Sequence, residues 1–280
     1  MGLRLRQVTP RQGSQWLRAG LQIFVRQPLA FCALFVAFLG LAALTLLVPL
    51  VGPLLFIGSF PLLSLVFMLA TREAMAGGRV RFGHLLALWR EPPPRRRTML
   101  LLCLMFGALV AGIGMLAFWS AGDDVLEALK TLKSSEGTPA DIMAVLSLPA
   151  VTRARDTAYL LYALLSIPYW HALALVHWGG QSAGQALFSS TLALWRTKGA
   201  FAVYCLGWLG TAVLATLVTT LIGALLSAAT GTAALAALLT AALSIALSAA
   251  FYVSLWFMFA DSFGAEPDSE PAAPGVTPPA

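Results

Sequence analysis

Charged residues are scarce in this sequence, and their scarcity excludes an ordinary water-soluble fold. Only 11% of the residues are Asp, Glu, Lys or Arg, whereas 59% are hydrophobic and the mean hydropathy is +0.82. A soluble domain carries about a quarter of its residues as charges, because its surface has to face water. A chain of this composition can keep its apolar surface away from water only inside a lipid bilayer.

Cysteines and catalytic motifs are also few or absent. The three cysteines, Cys32, Cys103 and Cys205, are too few for a disulfide framework and fall inside apolar runs. Each follows the start of an odd-numbered apolar run, so a three-thiolate metal site is one interpretation. No His or carboxylate accompanies them at ligand spacing, and we interpret them as small packing residues. We expect no metal and no other cofactor.

Motifs for phosphate binding and for metal-dependent hydrolysis are missing as well. The sequence has no phosphate-binding loop and no HExxH motif. Ion-coupled transporters usually carry an ionisable residue near mid-membrane, and no Asp, Glu, Lys or Arg lies within the apolar runs as we draw them. We therefore expect neither an enzyme nor an ion-coupled transporter.

Long apolar runs are what the sequence has in abundance. A helix needs about 20 apolar residues to cross a bilayer. The predicted spans are 29–48, 54–70, 99–119, 158–178, 200–226 and 233–260. We predict an all-α polytopic membrane bundle in which residues 29–260 form one six-span domain after a basic segment, 1–28. The tail, 261–280, is rich in Pro and Ala, and we expect it to be disordered.

Basic residues are distributed unevenly between the loops. Fourteen of the eighteen Lys and Arg residues fall in 1–28, 71–98 and 179–199, and the opposite loops carry four. The positive-inside rule therefore predicts that both termini are cytoplasmic. The sizeable loop on the other side, 120–156, is predicted to be a periplasmic helical hairpin. Its two helices are signalled by the capping-box spacing of Asp124 and Glu127 and by Thr138 before Pro139. The net charge of +6 therefore sits beside the spans, which suits anionic headgroups and not nucleic acid.

A short amphipathic stretch that ends in a basic residue precedes each odd-numbered span. The three stretches are 14–27, 82–90 and 185–196. In the first, Trp16, Leu17, Leu21 and Phe24 share one helix face. We predict three copies of one unit, each made of an interfacial helix and two spans that enter the membrane in the same direction.

Local sequence matches support this repeat. Leu86-Ala87-Leu88-Trp89-Arg90 recurs identically as Leu192-Ala193-Leu194-Trp195-Arg196, and Ser59-Phe60-Pro61 is echoed by Ser166-Ile167-Pro168. The alternative is chance similarity between Leu- and Ala-rich segments. We favour the repeat because the matches include Trp, Arg and Pro.

The densest set of basic residues is a candidate for binding anionic lipids such as phosphatidylglycerol or cardiolipin. Each basic residue contributes about 1 kcal/mol beside an anionic surface. A stop-transfer and topology signal explains the same residues equally well. The candidates are Arg72, Arg79, Arg81, Arg90, Arg95, Arg96 and Arg97.

Span four contains a candidate intramembrane polar site at Tyr169 and His171. A His inside a span is a functional hypothesis, although hydrogen bonding between helices is the favoured explanation. Pro61 and Pro168 are predicted to kink their helices. The small-residue spacing of Ala108 and Gly112 predicts close helix packing.

Several segments of the membrane region resemble an uncharacterised proteobacterial family of inner-membrane proteins. The resembling residues are Trp16-Leu17, Gly20, Phe24-Val25-Arg26-Gln27-Pro28-Leu29-Ala30-Phe31, Pro49-Leu50-Val51-Gly52-Pro53, Pro61-Leu62-Leu63 and Ala70-Thr71-Arg72. The repeated unit is also similar to the membrane domains attached to some bacterial glycerophosphodiester phosphodiesterases. The catalytic part of those enzymes is a separate domain without a counterpart in this sequence. The resemblance therefore implies a bacterial inner-membrane location and a fold, but no activity.

Two functional hypotheses follow. The first is a non-enzymatic membrane protein that acts through anionic lipids or a membrane-protein partner. The alternative is an uncoupled channel or carrier for a small or lipidic solute, with a cavity near Pro61, Pro168 and His171. A polar cavity between helices would favour transport, and a filled apolar bundle would favour the first hypothesis.

Overall fold

The computed structural model describes residues 5–122, 126, 130 and 138–264. Within these residues the regular secondary structure is helical, with no strand, which confirms the predicted all-α class. The helices are α1 (Pro10–Phe24), α2 (Pro28–Ala43), α3 (Gly52–Gly58), α4 (Phe60–Met75), α5 (Ala87–Arg90), α6 (Pro93–Ser120), α7 (Pro139–Leu146), α8 (Pro149–Tyr169), α9 (Ala172–Gly179), α10 (Ala183–Arg196), α11 (Lys198–Thr230) and α12 (Ala234–Phe263). Two 3-10 segments, Leu44–Leu47 and Phe82–Leu86, extend α2 and precede α5.

Six helical stretches of the described chain are long and apolar enough to cross a membrane. They are Pro28–Leu47, Gly52–Met75, Pro93–Ser120, Pro149–Gly179, Lys198–Thr230 and Ala234–Phe263. This confirms the predicted six-span membrane protein. The last two contain 33 and 30 residues, so each is about 45–50 Å long at 1.5 Å per residue. Because the hydrocarbon core is about 30 Å thick, these two helices must tilt or extend beyond it.

The order of the elements follows the predicted unit three times. A short helix precedes each odd-numbered span: α1 before α2, the segment from Phe82 through α5 before α6, and α10 before α11. The first short helix begins at Pro10, earlier than the predicted 14–27. Gln12 Oε1 accepts a hydrogen bond from the Thr9 backbone N–H at 2.7 Å, and Pro10 fits the first helical position.

Residues 5–38, 64–87 and 192–264 belong to one compact unit, in which α1 packs against α11 and α12. The buried stripe of α1 is Gly13, Trp16, Gly20 and Ile23. The apolar face that we expected at the bilayer interface therefore lies on protein, and Leu17, Leu21 and Phe24 are half-buried at its edge. A Cβ atom on Gly20 would lie 2.3 Å from the Ser254 Cβ, so this crossing requires glycine.

Aromatic side chains fill the interior of this unit. The Phe31 and Phe67 rings stack with centroids 6.0 Å apart, and Phe67 lies 5.5 Å from Tyr252. Trp16 meets the edge of Tyr204 at 6.1 Å. Tyr204 Oη is hydrogen-bonded to the Ser254 hydroxyl at 2.6 Å, which satisfies the buried phenol.

Residues 39–63 and 88–191 belong to a second compact unit, in which α6 packs against α3, α8 and α9. The close approach of α3 and α6 is made by Gly58 and Gly107, where an added Cβ on Gly107 would lie 2.4 Å from the Leu54 carbonyl oxygen. The prediction for Ala108 and Gly112 is wrong. Both are exposed, and a Cβ on Gly112 would meet nothing within 4 Å.

The second and fourth spans are each interrupted beside the proline of the Ser-x-Pro motif. α3 ends before Ser59 and α4 begins at Phe60, with Pro61 in its first turn. α8 ends at Tyr169, directly after Pro168. In both motifs the serine hydroxyl donates to the carbonyl three residues earlier, at 2.7 Å. The sixth span has no proline and is one continuous helix, α12, since no backbone N–H is missing from its ladder.

Two predictions fall wholly or partly outside the described residues. The predicted loop helix at Asp124 and Glu127 lies mostly there, whereas its neighbour is present as α7, which begins at Pro139. The predicted tail also lies outside them from residue 265 onward. α12 continues through Asp261 to Phe263, three residues into the segment predicted as tail.

Candidate functional site

The last turns of the second and third short helices have the same pattern of burial. Leu88 and Leu194 are buried, whereas Trp89 is 65% exposed and Trp195 is 70% exposed, and the arginine after each tryptophan is also exposed. In the first copy Val25, 67% exposed, takes the place of the tryptophan before Arg26. We call Val25–Arg26, Trp89–Arg90 and Trp195–Arg196 the exposed pairs.

A cation lies over the tryptophan ring of each of the two pairs that contain tryptophan. The Arg96 guanidinium is 5.8 Å from the centroid of Trp89, and Lys198 Nζ is 5.3 Å from the centroid of Trp195. Tryptophan is enriched at the boundary between hydrocarbon and headgroups, and cations over its face are attracted to the ring. Each tryptophan thus combines an apolar surface with a local positive charge at the start of a span.

The seven predicted lipid-contact arginines are not equivalent. Arg81 Nε lies 3.7 Å from a carboxylate oxygen of Glu73, and Arg95 Nη1 donates to the His177 carbonyl at 3.0 Å. Arg96 is the cation over Trp89, and Arg72 is half-buried. Among the residues that the structure describes, no such contact is seen for the three exposed arginines Arg79, Arg90 and Arg97.

A buried carboxylate, Glu91, was not singled out by the sequence. Its side chain is 5% exposed and contacts His177 Nδ1, at the end of the fourth span. In the first copy the residue at the same position is Gln27. Its Nε2 donates to the Gly78 carbonyl at 2.8 Å, and its Oε1 accepts from the Val80 N–H at 3.1 Å. In the first two copies, the polar residue between Arg and Pro therefore links the start of the odd-numbered span to the region that ends the next span. Its position between Arg and Pro in both copies is the sequence signal that could have identified Glu91.

His171 lies in the interruption of the fourth span and is completely buried. The Ser190 hydroxyl accepts a hydrogen bond from the His171 backbone N–H at 3.2 Å and donates to the Ile167 carbonyl at 3.4 Å. In an uninterrupted helix that N–H would bond to that carbonyl directly. Ser190 is thus inserted into the helical ladder, as a water molecule can be at a kink.

The other half of the predicted intramembrane site, Tyr169, is directed elsewhere in the same unit. Its ring packs against Phe106 with centroids 4.8 Å apart, and only 4% of the residue is exposed. Around Tyr169 and His171 the structure therefore shows packed side chains and a helix interruption that is bridged by the Ser190 hydroxyl. The sequence did not identify Ser190, because a serine on a short helix has no distinguishing signal.

The first unit contains a second polar contact that the sequence did not predict. Asp261 Oδ2 accepts hydrogen bonds from Trp16 Nε1 at 2.7 Å and from Gln12 Nε2 at 3.3 Å. Trp16 is 1% exposed. The carboxylate at the end of the last span therefore anchors the first short helix.

In the part of the chain that the structure describes, no three His, Cys, Asp or Glu side chains come close enough to hold a metal ion. The three cysteines are free thiols and half-buried. A groove of about 80 Å³ between α11 and α12 is lined by residues that include Thr216, Thr219 and Thr240. Their hydroxyls donate to carbonyls of their own helices, so the groove offers a solute little unsatisfied polarity.

The chain is similar to a bacterial membrane protein. Over 213 residues the chain is 33% identical to a "Probable inner membrane protein" of Burkholderia thailandensis, and the match covers 75% of this chain and 77% of that protein. No protein-family model and no solved structure matches the chain.

Proposed function

Because the chain belongs to the same family as the Burkholderia thailandensis inner membrane protein, we propose that it is a non-enzymatic inner-membrane protein that acts through anionic phospholipids. The observation that carries this proposal is the set of exposed pairs. Two of them place an exposed tryptophan under a cation at the start of a span. An aromatic ring at the edge of the hydrocarbon, next to two positive charges, suits an anionic headgroup.

The proposal includes an orientation with both termini in the cytoplasm. The uneven distribution of Lys and Arg supports it, since basic loops are retained on the cytoplasmic side. Alkaline phosphatase and green fluorescent protein fused after residue 280 test it. Fluorescence without phosphatase activity is expected, and the reverse result would contradict the orientation.

The resemblance to the membrane domains of glycerophosphodiester phosphodiesterases suggests the kind of role. In those proteins the unit is joined to a domain that acts on glycerophosphodiesters. We propose that here the same unit organises headgroups or a membrane-protein partner at the cytoplasmic surface. The filled aromatic interior of the first unit supports scaffolding over the alternative, an uncoupled carrier.

Lipid retention tests the main proposal. The full chain is placed in nanodiscs of phosphatidylcholine with a minor fraction of phosphatidylglycerol, and the lipids that stay bound on extraction are counted by native mass spectrometry. Two arginines at about 1 kcal/mol each correspond to about a 30-fold preference. We expect the double variant Arg90→Gln/Arg97→Gln to lose much of the phosphatidylglycerol enrichment.

The matched control, Arg153→Gln/Arg155→Gln, removes two charges near the start of span four, on the side of the membrane that is periplasmic in the proposed orientation. Arg155 already contacts Asp156 at 3.1 Å, so this change removes less free positive charge. Equal enrichment in the wild type and both variants, or no enrichment in any of them, would contradict the proposal.

A further inference from the structure

Two large apolar side chains are exposed in the turn that follows span two. Phe82 is 60% exposed and Leu86 is 49% exposed, and both belong to the 3-10 segment Phe82–Leu86. Large apolar side chains that are exposed close together mark a contact with lipid or with a partner protein. We call residues 78–86 the span-two turn, and neither of its two apolar side chains belongs to the exposed pairs.

Hydrogen bonds of Gln27 fix the depth of the span-two turn relative to span one. The Gln27 side chain accepts from the Val80 N–H at 3.1 Å and donates to the Gly78 carbonyl at 2.8 Å. Span one, Pro28–Leu47, contains 20 residues and is about 30 Å long, so it is just long enough to cross the hydrocarbon core. Its start, one residue after Gln27, must therefore lie at the boundary between hydrocarbon and headgroups, and the span-two turn lies level with it.

Phe82 cannot be far from that boundary. It follows Val80 by two residues, so their Cα atoms are at most about 7–8 Å apart. Leu29, at the start of span one, is 84% exposed. Exposed apolar surface is thus present on both chain segments that the Gln27 hydrogen bonds join, at the level where acyl chains begin.

The span-two turn is held in place by contacts with the end of α4. Gly77 adopts the left-handed conformation, with a φ of +81°, and the Gly78 N–H donates to the Glu73 carbonyl at 2.9 Å. Farther along the turn, His84 Nε2 lies 3.0 Å from a carboxylate oxygen of Glu73. Because the turn is formed in advance, its two apolar side chains can enter another phase without the entropy cost of ordering the segment first.

The charges around the span-two turn suit a lipid leaflet. Arg79 and Arg81 are exposed on either side of Val80, and no Asp or Glu occurs between residues 74 and 90. Glu73, just before this stretch, is in contact with His84. Apolar side chains flanked by arginines match an apolar layer beneath anionic headgroups. A leaflet offers both layers at the depth that Gln27 sets, which favours lipid over a protein partner.

We infer that the span-two turn is a membrane-inserting element: Phe82 and Leu86 enter the acyl-chain region of the leaflet in which span one begins, and Arg79 and Arg81 stay among its headgroups. This inference rests on the proposed function in taking lipid as the partner. It deepens that function, because it adds acyl chains to the headgroups invoked there and assigns the contact to one turn.

Photochemical crosslinking from position 82 tests the insertion. The full chain carries p-benzoylphenylalanine in place of Phe82 and is irradiated in phosphatidylcholine nanodiscs with a minor fraction of phosphatidylglycerol. The benzophenone bonds to a C–H group that lies against it, so mass spectrometry identifies the neighbour and fragmentation locates the bond. We expect phospholipid adducts with the bond on an acyl chain.

The matched control carries the same amino acid in place of Gln15, on the exposed polar face of α1 in the same compact unit. Burial of a phenylalanine side chain corresponds to a preference of about tenfold or more. We therefore expect about ten times more acyl-chain adduct from position 82 than from position 15. Equal yields at the two positions, or adducts from position 82 mainly with protein, overturn the inference.

A second pair of variants tests the argument from depth. Gln27→Ala removes both hydrogen bonds to the span-two turn, and acyl-chain adducts from position 82 should fall about fivefold, the factor that corresponds to one net hydrogen bond. Gln22→Ala, at an exposed side chain of α1, should leave the yield unchanged. Equal yields in Gln27→Ala and Gln22→Ala contradict the depth that we assign to the turn.

The outcomes of this test and of the proposed function are distinguishable. If the wild type shows no enrichment of phosphatidylglycerol but position 82 gives acyl-chain adducts, the proposed preference for anionic lipid fails and the insertion stands. If enrichment is seen and position 82 gives no acyl-chain adduct, only the insertion fails.

Discussion

The hydrogen bond between Trp16 and Asp261 gives a quantitative test of how the first short helix is held. In the variant Trp16→Phe the ring can still fill most of the buried space against Tyr204, but the indole N–H that donates to Asp261 at 2.7 Å is lost. A hydrogen bond to a charged group contributes about 1.5–3 kcal/mol. Asp261 is half-buried and keeps Gln12 as a donor, so we expect a loss of about 1.5 kcal/mol, at the lower limit.

This loss is measurable by reversible unfolding in mixed detergent micelles of increasing dodecyl sulfate content. At about 2–4 °C per kcal/mol, the melting temperature should fall by about 3–6 °C. The control is Trp195→Phe, the same change at a side chain that is 70% exposed, and it should leave the melting temperature nearly unchanged.

A double-mutant cycle with Asp261→Ala isolates the bond itself. Coupling of about 1 kcal/mol or more is expected, because the two side chains are in direct contact. If Trp16→Phe costs no more than Trp195→Phe, or if the two changes at Trp16 and Asp261 are additive, this account of the anchor is refuted.

Two further predictions concern the close packing of α1 on α12 and the helix interruption that Ser190 bridges in the fourth span. Gly20→Ala should destabilise the protein, because an added Cβ meets the backbone of α12. Gly40→Ala, where an added Cβ meets nothing within 4 Å, should be neutral or stabilising by up to about 1 kcal/mol. The same unfolding assay checks both variants, and equal effects would contradict the close crossing of α1 and α12. Ser190→Ala leaves a buried backbone N–H without its acceptor and should cost about 1–3 kcal/mol, whereas Ser244→Ala, at an exposed hydroxyl, should cost little. Hydrogen exchange should rise at the break in the first variant and stay unchanged in the second.

The elements that the sequence predicted correctly are those specified by local patterns. Six long apolar runs correspond to six candidate spans, and a basic residue at the end of a short amphipathic stretch marks each of the three short helices. The duplicated Leu-Ala-Leu-Trp-Arg motif also folds alike, with a buried leucine followed by an exposed tryptophan and arginine in each copy. Local patterns can be found in one sequence because they act over one or two helical turns.

The long-range polar contacts within each unit were not predictable in the same way. Glu91 and His177 are 86 positions apart, and Trp16 and Asp261 are 245 apart. Each residue alone resembles an ordinary polar residue at the end of a span. The packing of Gly58 on Gly107 was also missed, and Ala108 and Gly112 were chosen wrongly, because the same spacing of small residues occurs on exposed and buried faces of α6.

By itself the sequence determined that this is a membrane protein, how many helices can cross the bilayer, and where short helices precede the spans. These properties depend on hydropathy and on local helix signals, which accumulate along each segment independently of the others. Only the tertiary structure decided which face of each span meets protein and which distant residues meet: Trp16 with Asp261, and Ser190 with the break at His171. The physical reason is that lipid chains are as apolar as a protein core, so lipid-facing and buried residues look alike in the sequence of a span.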